Sequence, residues 1–286
     1  MSAIKAFIER HAVLTYFVLT FAVSWSGFIL AVGGPSGFPG APEEFETLLP
    51  FVAWAMLAGP SVSGFLLTGL LSGGAGLREL ISRLFKWRVG VRWYAFAVLP
   101  GFLFPAAVLF ALSQTSSIFT ADDKAALVLS GMVAGISIVL EEIGWTGFAV
   151  PRLRQRYSIL ATGLIVGVLW GAWHFLQGLW ISGTYSGTLP LALFLPLSIL
   201  SGIAQLTAYR ILLVWVYDRT GSLLVTTLMH ASLTISTVFI FRPLGTGASF
   251  LINGWVLAAA FWAFVAAVAA ANRGRLSRKT LSENRR

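Results

Sequence analysis

Two adjacent glutamates, Glu141 and Glu142, are the only ionisable residues between Lys124 and Val150 in an otherwise apolar run. The run is long enough to span a bilayer, and a carboxylate at membrane depth costs about 2–3 kcal/mol or more. The other ionisable residues inside apolar stretches are His174, Arg210 and His230; the third histidine of the chain, His11, lies in the N-terminal tail. Two carboxylates and two imidazoles on separate helices suit three chemistries. Glu141, His174 and His230 could ligate zinc or another divalent metal that activates water. A desolvated glutamate could act without a metal as general base on water, with histidines positioning it or polarising a carbonyl. The same groups could also relay protons in a transporter. No HExxH helix is present to favour the first.

Helical geometry places these side chains on faces that can meet. At 100° per residue, Gly163, Gly167, Gly171 and Gly178 form a stripe about 80° wide with His174 near its middle. Small-residue stripes allow close helix contact, so His174 is expected to face protein. Thr226, Thr234 and Thr237 fall within about 40° of His230, and Gly131 and Gly135 within about 20° of Glu142. Depth fits less well. Glu141 and His230 lie about nine residues, roughly 13 Å, from the basic ends of their helices, but His174 lies about fifteen from Ile159. That helix must therefore start below the interface or tilt.

The elements that carry these residues belong to a membrane protein. The 286 residues are 57% hydrophobic and only 11% charged, and the mean hydropathy is +0.82. The expected fold is all-α: one transmembrane domain over residues 1–286, a polytopic membrane helical bundle of about eight transmembrane helices. The apolar stretches run over 12–33, 48–72, 93–113, 125–149, 159–180, 190–216, 222–241 and 249–271. Seventeen of the twenty Lys and Arg fall on one side of this arrangement and two on the other, which makes both termini cytoplasmic. Residues 77–91 read as an interfacial amphipathic segment and 273–286 as a basic cytoplasmic tail. The basic excess, which in a soluble protein would suggest nucleic acid, is here assigned to topology and to membrane lipid; no nucleic-acid partner is expected. The absence of cysteine excludes disulfides and thiolate chemistry. The N-terminal apolar run lacks a small-x-small cleavage site and is read as an uncleaved first span.

Three stretches carry a family resemblance. Glu141-Glu142-Ile-Gly-Trp-Thr-Gly-Phe-Ala-Val-Pro-Arg-Leu, Trp170-Gly-Ala-Trp-His174 and Gly221-Ser-Leu-Leu…Met229-His-Ala-Ser232 resemble the three motifs of the CPBP (CAAX protease and bacteriocin-processing, or Abi) intramembrane endopeptidases. The resemblance covers about 120 residues of a motif-bearing core at about 125–241. It implies a helical-bundle active site in the membrane, open toward the cytosol, that hydrolyses a peptide bond in a peptide or lipidated protein. Glu141 matches the glutamate that activates water, Glu142 its partner, and His174 and His230 the histidines of the second and third motifs. Two positions depart from the pattern. Thr146 stands where the first motif usually has arginine, and Thr234 where the third usually has Asn or Asp at an oxyanion-type or ligand position. Arg210, in the neighbouring span, is a candidate to supply the missing guanidinium beside Glu142. The expected location is integral and multi-pass in a membrane, the plasma membrane if the source is prokaryotic. A non-proteolytic binding or immunity protein of the same family, and a proton-coupled transporter, are the alternative functions.

Overall fold

The computed structural model describes residues 3–119, 124–241, 243–274 and 276, and every regular element in them is helical. The chain forms α1 (Ala3–Arg10), α2 (Ala12–Ala31), α3 (Phe45–Leu84), α4 (Val91–Ser113), α5 (Lys124–Gly144), α6 (Val150–Leu153), α7 (Ile159–Trp173), α8 (Phe175–Tyr185), α9 (Leu191–Thr220), α10 (Leu223–Thr234) and α11 (Ala248–Ala271). π-Helical turns at Trp145–Ala149 and Ile235–Ile240 follow α5 and α10. Among the described residues six helices are long and apolar enough to cross a membrane, or seven if α7 and α8 are one bent span. Leu30, Phe51, Trp54, Leu103 and Phe110 are exposed on them. Apolar side chains covering the outside of apolar helices mark an integral, multi-pass membrane protein. Asp122, Asp123, Arg242 and residues 277–286 of the basic tail lie outside the described residues.

Each expected apolar stretch contains a helix, with two differences. α3 continues past residue 72 to Leu84, broken at Gly73 (φ 59°, ψ −159°), a conformation that glycine adopts without a Cβ clash. Residues 77–84 therefore form its last turns, with Leu80 buried, while Phe85 and Trp87 in the following irregular segment are exposed. The second difference lies at His174. The α7 helix stops at Trp173, His174 takes φ −75° and ψ 2°, and α8 leaves at 50° to α7. The break follows all fifteen residues of α7, so it redirects the chain beyond His174 and leaves the distance of His174 from Ile159 as expected for a continuous helix.

The polar ends of α7 and α10 are fixed locally. The Ser158 hydroxyl accepts from the Ala161 amide at 3.1 Å, and the Ser222 hydroxyl from the Val225 amide at 3.2 Å. Both are N-caps that satisfy an otherwise orphaned amide. Gly221, at φ 58°, turns the chain between α9 and α10. The glycine stripe of α7 lies on α9: a Cβ at Gly163, Gly167 or Gly171 would come within 2.7 Å of the Cα of Ile211, Thr207 or Ile203. The two helices are therefore antiparallel and in backbone contact, as small residues permit. Arg210 lies on the same stretch of α9 that this contact fixes. Gly178, beyond the bend, is in ordinary contact with Ile199 of α9.

Candidate active site

The glutamate pair sits at the end of α5, where Gly144 lets the backbone pass against α2 and α3. A Cβ there would collide with the Pro60 carbonyl and the Tyr16 hydroxyl. The chain then enters the π-helical turn Trp145–Ala149, all of it buried. Such turns reposition side chains inside a helix and are frequent at functional sites.

Glu142 is fully buried and saturated. Arg210 Nη1 donates to its Oε1 at 2.9 Å and its Oε2 at 3.1 Å, and His230 Nδ1 lies 2.9 Å from Oε1. The Thr146 hydroxyl donates to Oε2 and accepts from Arg210 Nη1 at 3.2 Å. A guanidinium beside Glu142, the place expected for Arg210, is thus supplied from α9 and also bonds Thr146. Glu142 needs this company, because a buried carboxylate without a counter-ion is strongly unfavourable.

Glu141 is served differently. Its Oε2 accepts one hydrogen bond, from Trp170 Nε1 at 3.0 Å. Among the described residues no cation lies within ion-pairing distance of it. It also keeps 6% of its surface exposed where Glu142 keeps none. Its Oε1 accepts no hydrogen bond from the described residues.

Trp170 joins the two halves. Its indole bonds Glu141, its face carries the Arg210 guanidinium at 4.0 Å, and its ring meets His230 edge-on at 4.7 Å. Its carbonyl oxygen lies 2.9 Å from His174 Nδ1. A carbonyl can only accept, so His174 carries hydrogen on Nδ1; the carboxylate on His230 Nδ1 assigns the same tautomer there. In the neutral form of either ring, Nε2 is the unprotonated nitrogen. His174 is half-buried at the α7–α8 break, packed edge-on against Trp173, and bonds neither glutamate. α10 is anchored around His230 by the Tyr209 hydroxyl on the Met229 carbonyl at 2.8 Å and the Ser232 hydroxyl on the Ala97 carbonyl at 3.0 Å.

The expected residues are thus brought together unevenly. Glu142, Thr146, Arg210 and His230 form one bonded cluster, with Glu141 and His174 joined to it through Trp170. Thr234 ends α10 one turn beyond His230, half-buried, and has no part in the cluster. Of the other threonines on that face, Thr226 bonds the Ser222 and Leu223 carbonyls and Thr237 the Leu233 carbonyl. Gly131 and Gly135 pack on Ile235 and Phe239 of the second π-helical turn.

A metal would have to use Nε2 of His174, Nε2 of His230 and Oε1 of Glu141. Among the described residues no group of three or more His, Asp or Glu side chains is placed to hold an ion. The carboxylate that does bond a histidine, Glu142, already holds the fixed cation Arg210. The set Glu141, His174 and His230 is therefore not gathered as a metal site in this arrangement.

Comparison with known proteins places the cluster in a family segment. Residues 123–236, which contain every side chain of the site, match the family model described as type II CAAX prenyl endopeptidase Rce1-like. A 40-residue stretch is 38% identical to a protein named CAAX prenyl protease 2 from Methanococcus maripaludis, over 14% of this chain and 15% of that protein. The resemblance carried by the three motifs holds over this segment.

Proposed function

We propose that the chain is an intramembrane endopeptidase in which Glu141 activates water while Glu142 holds the site together. The observation that carries this reading is the unequal service of the two carboxylates. Glu142 is neutralised by Arg210 and spends both oxygens on partners, so it is unsuited to accept a proton. Glu141 has one neutral donor and an uncommitted oxygen. In this reaction the water oxygen bonds to the peptide carbonyl carbon as Glu141 takes one of its protons. The C–N bond then breaks, and the proton passes to the leaving amine. His174 would orient the water through Nε2. His230 would act through Nε2 on the carbonyl oxygen, donating to the oxyanion when doubly protonated, with Glu142 as its counter-ion. No step runs through a metal.

The proposed substrate is a peptide presented at the membrane, with a prenylated CAAX C-terminus as the first to try, given the family model and the printed name of the relative. The purified protein should be incubated in H2(18)O with prenylated and unprenylated peptides. Two fragments with one 18O in the new carboxylate support hydrolysis. Preference for the prenylated peptide supports the substrate class. Intact peptides throughout would favour the binding or immunity reading.

A further inference from the structure

A cavity of about 710 Å³ opens at the basic end of the bundle, between the α1–α2 junction, the last turns of α3, and α6 with the turn after it. Gly147, in the π-helical turn that follows the glutamate pair, lines it. Its wall includes Arg10, Arg83, Arg152 and Arg156 against only Glu9 and Glu79. Each carboxylate already has a cation beside it. Glu79 pairs with Arg83, which also bonds the Tyr217 hydroxyl at 3.2 Å, and Glu9 lies 4.0 Å from Lys5. Arg10, Arg152 and Arg156 are left with no carboxylate within ion-pairing distance among the described residues.

Arg152 is the unusual one, because it is half-buried. Its Nη1 donates to the Phe148 carbonyl at 3.1 Å, and its guanidinium lies 3.7 Å from the centre of the Phe148 ring. Burial, and next the neighbouring Arg83, hold it below the ordinary arginine range against the smaller opposing pull of Glu79. A partly desolvated cation beside a second cation, facing open volume, is a site that an anion relieves. Arg10 and Arg156 are exposed at its rim, where long flexible cations reach a ligand without first being buried.

We infer that this cavity binds a phosphate group, with Arg152 at its base and Arg10 and Arg156 closing over it. Guanidinium forks match phosphate oxygens in pairs, and the number of unpaired cations suits a singly or doubly charged phosphate. The favoured source is the headgroup of an anionic phospholipid. Leu14, on the cavity wall, and Val18, one turn further along α2, are exposed apolar residues along which an acyl chain can lie.

The test uses the full chain in nanodiscs of phosphatidylcholine with phosphatidylglycerol, with lipid retention read by native mass spectrometry. A parallel arm measures melting in detergent with and without inorganic phosphate. Wild type should retain phosphatidylglycerol over phosphatidylcholine, and Arg152→Gln should lower that retention about tenfold, the worth of one charge-assisted pair. The rim variant Arg10→Gln/Arg156→Gln should lower it about threefold, and decides the matter if Arg152→Gln does not fold. Melting raised by phosphate in wild type but not in the variants, without lipid preference, would keep the anion site and assign it to free phosphate. Wild-type retention in the variants, with phosphate inert toward all of them, overturns the inference.

Discussion

Arg210→Leu tests whether the buried cluster is organised as described. The substitution removes both bonds from Arg210 Nη1 to Glu142 and the guanidinium that sits 4.0 Å from the Trp170 ring. Breaking a buried pair by removing one partner costs about 3–5 kcal/mol, because the remaining charge is stranded. Glu142 keeps His230 and Thr146, which argues for the lower end, while loss of the ring contact adds about 1 kcal/mol. A destabilisation of about 4 kcal/mol shifts the folding equilibrium about a thousandfold. Equilibrium unfolding in mixed micelles, followed by the fluorescence of the eleven tryptophans, measures it. Glu142→Gln in the same chain should return about 1–2 kcal/mol by removing the stranded charge. Thr146→Arg in the Arg210→Leu background should also recover part of the loss, since position 146 already touches Glu142 and the shorter residue at 210 makes space. A cost below about 1 kcal/mol for Arg210→Leu, with no coupling to Glu142→Gln, would refute the reasoning.

Three further outcomes follow from the same geometry. Trp170→Phe keeps an aromatic ring beside Arg210 and His230 but deletes the donor to Glu141; cleavage per folded molecule should slow about tenfold, the worth of one hydrogen bond, with stability lowered by about 1–3 kcal/mol. Gly167→Leu must separate backbones that meet at Thr207 and should destabilise by about 3 kcal/mol, read by the same micellar unfolding, whereas Gly202→Ala, with open space at its Cβ position, should not. Ser222→Ala removes the N-cap of the helix that carries His230 and should cost about 1 kcal/mol in that assay.

Much of the architecture was legible because lipid imposes a simple rule: backbone polar groups must be satisfied within helices, so apolar length alone marks the elements. Polar residues inside those elements then pointed to Glu141, Glu142, His174 and His230 as walls of one cavity, with Arg210 a candidate partner of Glu142. The α7 stripe was legible for a similar reason, as Gly163, Gly167 and Gly171 recur every four residues. What periodicity hid was any departure from a regular helix. The break at His174 and the π-helical turn Ile235–Ile240 contain no proline or glycine to announce them, and Gly144, Gly147 and Pro151 around the turn after Glu142 do not by themselves specify a π-helix. The stripe that assumed one continuous helix through Gly178 therefore ran past a bend. The role of Trp170 was also missed. Its position four residues before His174 was visible, but a tryptophan in an apolar helix reads as packing, and only the fold shows its indole hydrogen directed at Glu141. Thr234 illustrates the converse: a motif position marks where a ligand residue usually stands, not whether a shorter side chain still reaches the site.

The central claim is the division of labour between Glu141 and Glu142, and single-turnover cleavage by Glu141→Gln beside its melting curve tests it most directly. The amide is isosteric and can still accept from Trp170 Nε1, but it cannot take a proton from water. The rate should fall by about 10³, the scale of general-base catalysis, while melting stays at the wild-type value. Glu142→Gln should show the opposite balance, a lower melting point from the stranded Arg210 with a smaller loss of rate per folded molecule. Wild-type cleavage by well-folded Glu141→Gln would contradict the account.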